Sequence, residues 1–226
     1  MTEWMDQQHA NILALLTASQ YAERKKVLEN LCMAFAKTKI TWALSMSASL
    51  FMYGVWDDFN DFDILIELQS VEEFERIFTS IGGVIDHNTK QKEAFCSPYY
   101  KEATIGTIHF DLIGDIALET YNTHYCYRLK QTDVEYLFLE KNIPVPLCPM
   151  EANLLLYAMM EGWQSRRKLK RRMCVRYLHD FLIHPDILET ALKGEVTQSD
   201  GNEHILKKLP KWLEEKVNTI LRAHSN

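Results

Sequence analysis

The segment "WALSMSASLFMYGVWDDFNDFDILIEL", residues 42–68, decides how the chain is read. Its second half leaves an acidic loop and begins to alternate. In a strand, Asp61, Asp63, Leu65 and Glu67 share one face, and Phe62, Ile64, Ile66 and Leu68 share the other, which reads as core. Two carboxylates about 7 Å apart along a strand repel each other, and partial burial raises the cost of keeping both ionised unless a cation lies between them. Mg2+ suits such a pair: it is a hard ion with oxygen ligands, usually held by one or two carboxylates plus substrate phosphates. The competing reading of "WDDFNDFD" is a solvated acidic loop.

A third carboxylate favours the metal reading. In "TIGTIHFDLIGD", residues 104–115, Ile108, Phe110 and Leu112 form a core face, while His109, Asp111 and Ile113 form the other. An aspartate inside a strong apolar strand needs a reason. Were this strand beside the first, Asp61, Asp63 and Asp111 would converge as metal ligands and catalytic carboxylates for phosphoryl or nucleotidyl transfer. Upstream, "WALSMSASLFMYG" reads as a strand, a small-residue turn and a helix ending at Gly54. Such a turn offers backbone N–H groups and hydroxyls to an anion, which makes Ser45 and Ser47 candidate nucleotide-binding residues. The plainer alternative for Ser47 is a helix cap.

The flanks supply the architecture. Two helices precede the segment, near Glu3–Leu16 and Tyr21–Lys37, and two more are read at Ser47–Tyr53 and Val71–Ile81, the latter with Ser70 and Glu73 as a capping box. "ITWAL", "DFDILIEL", "GGVID", "EAFCS", "TIGTIHFDLIG" and "HYCYRL" read as strands of one mixed sheet. "NIPVPLCP", residues 142–149, holds three prolines and reads as no more than a short extended piece, so the domain boundary falls there. Helices follow at Met150–Gly162, Lys168–Ile183, Pro185–Leu192 and Lys211–Ala223, with a polar break "GEVTQSDGNEH" before the last. The fold class is therefore α+β: residues 1–148 form a mixed β-sheet flanked by helices, and residues 149–226 a C-terminal helical bundle.

Charge is divided along the same line. Residues 1–148 carry 12 Lys+Arg against 21 Asp+Glu, and residues 149–226 carry 13 against 10, within a net charge of −6. An acidic front suits cations and a basic back suits anions. A general nucleic-acid binder is more often basic overall, so a long DNA or RNA partner is disfavoured. The basic run "QSRRKLKRRMCVRYLHDF" places Lys168, Arg172 and Arg176 on one helical stripe, and Lys168 and Arg172 are the candidate phosphate contacts. His109 reads as a partly buried structural histidine, Tyr99 and Tyr100 as edge-strand packing, and Met159, Met160 and Trp163 as helix core. The five cysteines are scattered and lack a CxxC pair, which fits reduced core thiols. No apolar run is long enough for a membrane span and the N-terminus lacks the order of a secretion signal, so the expectation is a cytoplasmic protein.

Over about residues 40–115 the order of these features resembles the nucleotidyltransferase superfamily. The features are a strand, a serine turn, a short helix ending in Tyr-Gly, Asp-aromatic-Asp-Ile-Leu-Ile, and an aspartate about fifty residues on. The pattern is most similar to the small bacterial antibiotic nucleotidyltransferases of the lincosamide and aminoglycoside type. The resemblance implies that Asp61 and Asp63 are the metal pair, that Asp111 is the third carboxylate and in several members the base for the acceptor hydroxyl, and that Ser47 contacts the triphosphate. It implies a Mg2+-dependent transfer of a nucleoside monophosphate, with ATP as the expected NTP co-substrate, to a small-molecule acceptor such as an antibiotic. The likeness extends to enzymes acting on proteins or tRNA ends. Where the family has glycine before the serine this chain has Met46, which motivates an alternative: a nucleotidyltransferase-like binding module or antitoxin-like partner without turnover.

Overall fold

The computed structural model describes residues 3–91, 95–120, 123–139, 143–160, 165–193 and 210–224. The polar break at 194–204, the end of the helix expected to reach Gly162, part of "EAFCS" and Trp163 lie outside the described residues, as does the side chain of Met159. The chain divides into two compact units: residues 1–93, 97–116 and 128–148 form the first, and residues 94–96, 117–127 and 149–226 the second.

The first unit starts with helices α1 (Glu3–Thr17) and α2 (Ala22–Phe35). Then come β1 (Trp42–Ser45), α3 (Met46–Met52), β2 (Phe62–Ile66), α4 (Val71–Ser80), β3 (Val84–Asp86), β4 (Tyr99–Ile105) and β5 (Ile108–Gly114). After β6 (Ile116–Thr120) and β7 (Thr123–Tyr127), which pair as a separate two-stranded ribbon, β8 (Glu135–Leu139) and β9 (Ile143–Leu147) complete a seven-stranded sheet of order β3-β4-β5-β2-β1-β9-β8. β2 runs antiparallel to β1 and parallel to β5, so the sheet is mixed and the protein is α+β.

The alternation read from the sequence is what builds this core. Phe62, Ile64 and Ile66 are fully buried on one face, and Phe110 and Leu112 continue that face across β5. Aromatic rings from the helices and from the loop before β2 close on it: Phe35 stacks on Phe74 at 4.5 Å, Phe78 meets Phe110 edge-on at 5.1 Å, and Phe59 of the loop packs against Phe62 at 5.2 Å. The expected core face ends at Ile66, however. Leu68 is 39% exposed because it begins a 3₁₀ turn, Leu68–Ser70, rather than extending the strand.

Four further expectations are corrected. Ser70 makes no side-chain cap to α4, because it closes that 3₁₀ turn with helical dihedrals and so lacks the extended geometry of a capping box. "TIGTIHFDLIG" is not one strand: Gly106 at φ +60° and Thr107 turn the chain between β4 and β5, and the Glu23 carboxylate accepts from both the amide and the hydroxyl of Thr107. His109 on β5 is exposed, not partly buried. "IPVPL" is an interior strand in spite of its prolines. The Cys148 amide donates to the Leu44 carbonyl at 2.7 Å, so by alternation the N atoms of Pro144 and Pro146 face β1, and the amides of Ile143, Val145 and Leu147 face β8.

The second unit contains the β6–β7 ribbon and helices α5 (Met150–Met159), α6 (Ser165–Asp180), α7 (Pro185–Lys193) and α8 (Lys211–His224). Here Glu151, 1% exposed, accepts from the amides of Ile183 and His184 and so caps the approach to α7. Burial pushes the thiols of Cys174 in this unit and of Cys32 in the first upward, Cys32 to about 12, and no disulfide joins the cysteines. Among the described residues no helix is long and apolar enough to cross a membrane.

Asp115 gives a pH-dependent test of the fold at the end of β5. It sits in the left-handed region at φ +47°, and burial holds its carboxyl above the ordinary range, with Arg128 at 3.6 Å and a Leu68 backbone bond opposing. A carboxyl raised on folding contributes stability below its unfolded pKa, and that contribution is lost as pH rises through the folded value. Asparagine tolerates the left-handed region, and the bond to a mostly exposed arginine is weak. Asp115→Asn is therefore expected to raise the melting temperature at pH 7, with the advantage disappearing towards pH 3 in thermal unfolding at both values.

Candidate functional site

Strand register gathers three of the candidate residues, Ser45, Asp63 and Asp111, on the face opposite the aromatic core. Ser45 on β1 lies opposite Asp63 on β2, Asp63 lies beside Asp111 on β5, and Asp111 lies opposite Glu102 on β4. Four adjacent strands thus form one lateral row, Ser45–Asp63–Asp111–Glu102, with neighbours about 4.8 Å apart across the sheet. The row opens outward: Ser45 and Asp63 are buried, Asp111 is half-buried and Glu102 is exposed. Ser45 is at the head of α3, but its hydroxyl donates to the Asp63 carbonyl at 3.3 Å instead of capping the helix.

Asp61 stands just before β2 and is half-buried. Among the described residues no group of three His, Cys, Asp or Glu side chains gathers into a metal-holding cluster; of the three candidate carboxylates, Asp63 and Asp111 are the two that strand register brings side by side. Asp61 lies outside the paired strand, and Asp111 is engaged from β4. The pair Asp63 and Asp111 still fits a hard divalent cation, because adjacent carboxylates on parallel strands are all-oxygen donors whose mutual repulsion a cation would offset.

The negative field of the row registers on a residue that sequence reading set aside as packing. Tyr100, 6% exposed, lies on β4 two residues before Glu102, and its phenol hydrogen-bonds to Asp111. Burial pushes its pKa up, and the charges of Asp111, Glu102 and Asp63 push it further. Tyr99, on the other face, donates to Glu75 of α4 at 2.7 Å and is structural. Glu102 carried no signal in the sequence, because its membership depends on the β4–β5 pairing.

The serine turn is tightly enclosed. From Ile40 to Val55, Ser47 is the single residue that is not buried. The hydroxyls of Ser49 and Tyr53 both donate to the Cys148 carbonyl, at 3.4 and 3.1 Å, and fix α3 to the end of β9. Met46 adopts φ +51°, the left-handed conformation a glycine would take there, and its side chain is only 9% exposed. That conformation strains a non-glycine residue by roughly 1–2 kcal/mol. The turn therefore keeps a glycine-like backbone route, and the methionine side chain is directed into the protein.

Lys168 and Arg172 lie on α6 in the second unit, where both are exposed along with Arg176. Lys170 on the same helix stands over the Tyr157 ring at 5.5 Å.

No protein-family model and no curated protein matches the sequence. Among solved structures, the chain is similar to a Thermotoga maritima protein described as a candidate nucleotidyltransferase. That likeness has a TM-score of 0.52 at 21% identity, covering 70% of this chain and 94% of the other. It is also similar to the antibiotic-resistance factor ANT(2″)-Ia in solution, with a TM-score of 0.50 at 14% identity and coverage of 75% and 89%. The crystal structure of ANT(2″)-Ia with adenylyl-2″-tobramycin gives 0.50 at 13% identity, covering 75% and 95%. The carboxylate row thus lies on a nucleotidyltransferase-like α+β fold.

Proposed function

We propose that the protein is a Mg2+-dependent nucleotidyltransferase that moves a nucleoside monophosphate, AMP from ATP in the first instance, to a hydroxyl of a small-molecule acceptor. The observation that carries this reading is the register of Asp63 beside Asp111, one strand from the serine turn. The acceptor oxygen would form a bond to the α-phosphorus as the bond to pyrophosphate breaks, and the hydroxyl proton would pass to Asp111. Asp61, Asp63 and Asp111 are the proposed ligands of Mg2+, which when bound supplies charge neutralisation of the triphosphate and polarisation at phosphorus. Ser47 is the proposed triphosphate contact in the turn, and Lys168 and Arg172 are proposed to meet phosphate. The adenylylated aminoglycoside held by ANT(2″)-Ia supports a small antibiotic-like acceptor and AMP as the transferred group.

Calorimetry with Mg2+ and each of the four NTPs tests the reading, followed by turnover against antibiotics, tRNA and candidate proteins. Binding of at least one NTP is expected; no binding of any would favour the non-catalytic module. Ser47→Ala is expected to weaken ATP binding by roughly tenfold, the value of one hydrogen bond to a charged group. Ser45→Ala should act instead on stability, because its hydroxyl is spent within the sheet. Equal ATP affinities for Ser47→Ala and the parent would remove Ser47 from the site.

A further inference from the structure

The outer end of the carboxylate row has a donor with two acceptors. Tyr100 and Glu102 are i and i+2 on β4 and therefore share the face on which Asp111 lies. The phenol hydrogen-bonds to Asp111, and its oxygen is also 3.5 Å from Glu102 Oε1. A phenol has one O–H to donate. It can satisfy Asp111 or Glu102, but not both at full strength. Tyr100 is buried, Asp111 is half-buried and Glu102 is exposed, so the two acceptors differ in how easily water replaces the phenol.

We propose that Tyr100 is a positioning residue for Asp111: its hydroxyl holds the Asp111 carboxylate towards β4 in the free protein and turns to Glu102 when a divalent cation takes Asp111. The exchange moves no proton between residues; one hydrogen bond is replaced by another while the carboxylate gains a metal bond. Glu102 acts as the acceptor that keeps the buried phenol satisfied once Asp111 is engaged. The inference rests on the use of Asp111 in the proposed nucleotidyl transfer.

Mn2+ binding to the full chain, followed by the paramagnetic resonance of the free ion, tests the exchange without an acceptor. Y100F removes the competitor for Asp111 and is expected to tighten Mn2+ binding by about 3–10-fold, the range of one net hydrogen bond. Glu102→Gln and Glu102→Leu remove the same charge, but the amide keeps an acceptor for the phenol and leucine does not. With Tyr100 present, Glu102→Leu should bind Mn2+ more weakly than Glu102→Gln; in the Y100F background the two should bind equally. Unchanged or weaker Mn2+ binding by Y100F would overturn the proposal, as would a difference between the two Glu102 variants that persists in that background. A parent protein that binds no Mn2+ would remove both this role and the metal-dependent reading. A parent that binds Mn2+ and releases pyrophosphate, with Y100F at parental affinity, would remove the role of Tyr100 alone.

Discussion

Asp63→Asn is expected to lower Mg2+-dependent pyrophosphate release from ATP by about a thousandfold or more, equivalent to roughly 4 kcal/mol of lost transition-state stabilisation. Asp63 is central to the row, between Ser45 and Asp111, and is 8% exposed. Solvent therefore cannot readily substitute for its charge, and no other carboxylate lies on β2 itself, since Asp61 and Glu67 flank the strand. Asparagine keeps the shape and removes the charge, so Phe62 and Ile64 should hold their places and the melting temperature should change little. The measurement is a coupled pyrophosphate assay beside a thermal melt. Turnover within tenfold of the parent, in a folded variant, would sink the nucleotidyl-transfer reading.

Gly54→Ala is expected to reduce folding stability by at least about 3 kcal/mol, although no catalytic group is touched. Gly54 has φ +74°, where a side chain is already strained, and a Cβ there would come within 2.4 Å of the Gln8 amide nitrogen and 2.7 Å of the Trp4 carbonyl oxygen. Both are backbone atoms of α1, so no rotamer change can relieve the overlap. α1 would have to move, and it is tied down here: Asn11 Nδ2 donates to the carbonyls of Phe51 and Trp56, both at 2.8 Å, and Gln8 Nε2 donates to that of Met52 at 3.0 Å. Trp4 and Leu15 would lose their burial as well. Urea unfolding reads the change directly, and a loss under about 1 kcal/mol would show that α1 does not pack on Gly54. The Tyr-Gly that closes the short helix thus has a packing role in this chain.

What could be read from the sequence was what one strand displays by itself. Phe62, Ile64 and Ile66 declared a core face by alternation, and Asp63 and Asp111 each stood out because an aspartate interrupted an apolar run. Their apposition followed once both strands were placed in one sheet. Tyr100 and Glu102 were hidden because a lateral row is a property of pairing: until β4 is folded back on β5 at Gly106, nothing distinguishes these residues from an exposed edge. Met46 was legible as an anomaly of residue type but not of geometry, since a methionine gives no sign of a positive φ. The capping box at Ser70 failed because a motif of spacing cannot report the dihedrals its first residue will adopt.

The prolines of β9 bear on more than strand assignment. With both missing amides turned to β1, the bonding between these two strands narrows to a single register pair, Leu44 with Leu147, whereas β8 and β9 share five. The sheet therefore has a seam, and the β8–β9 hairpin is laced to itself more firmly than to its neighbour. Beyond the seam the chain continues at Cys148, whose carbonyl is clasped by Ser49 and Tyr53 of the serine turn's helix. Along this edge the hairpin is therefore joined to β1 and α3 at one end, where the Leu44–Leu147 pair, the Cys148 amide and two hydroxyls meet within two residues.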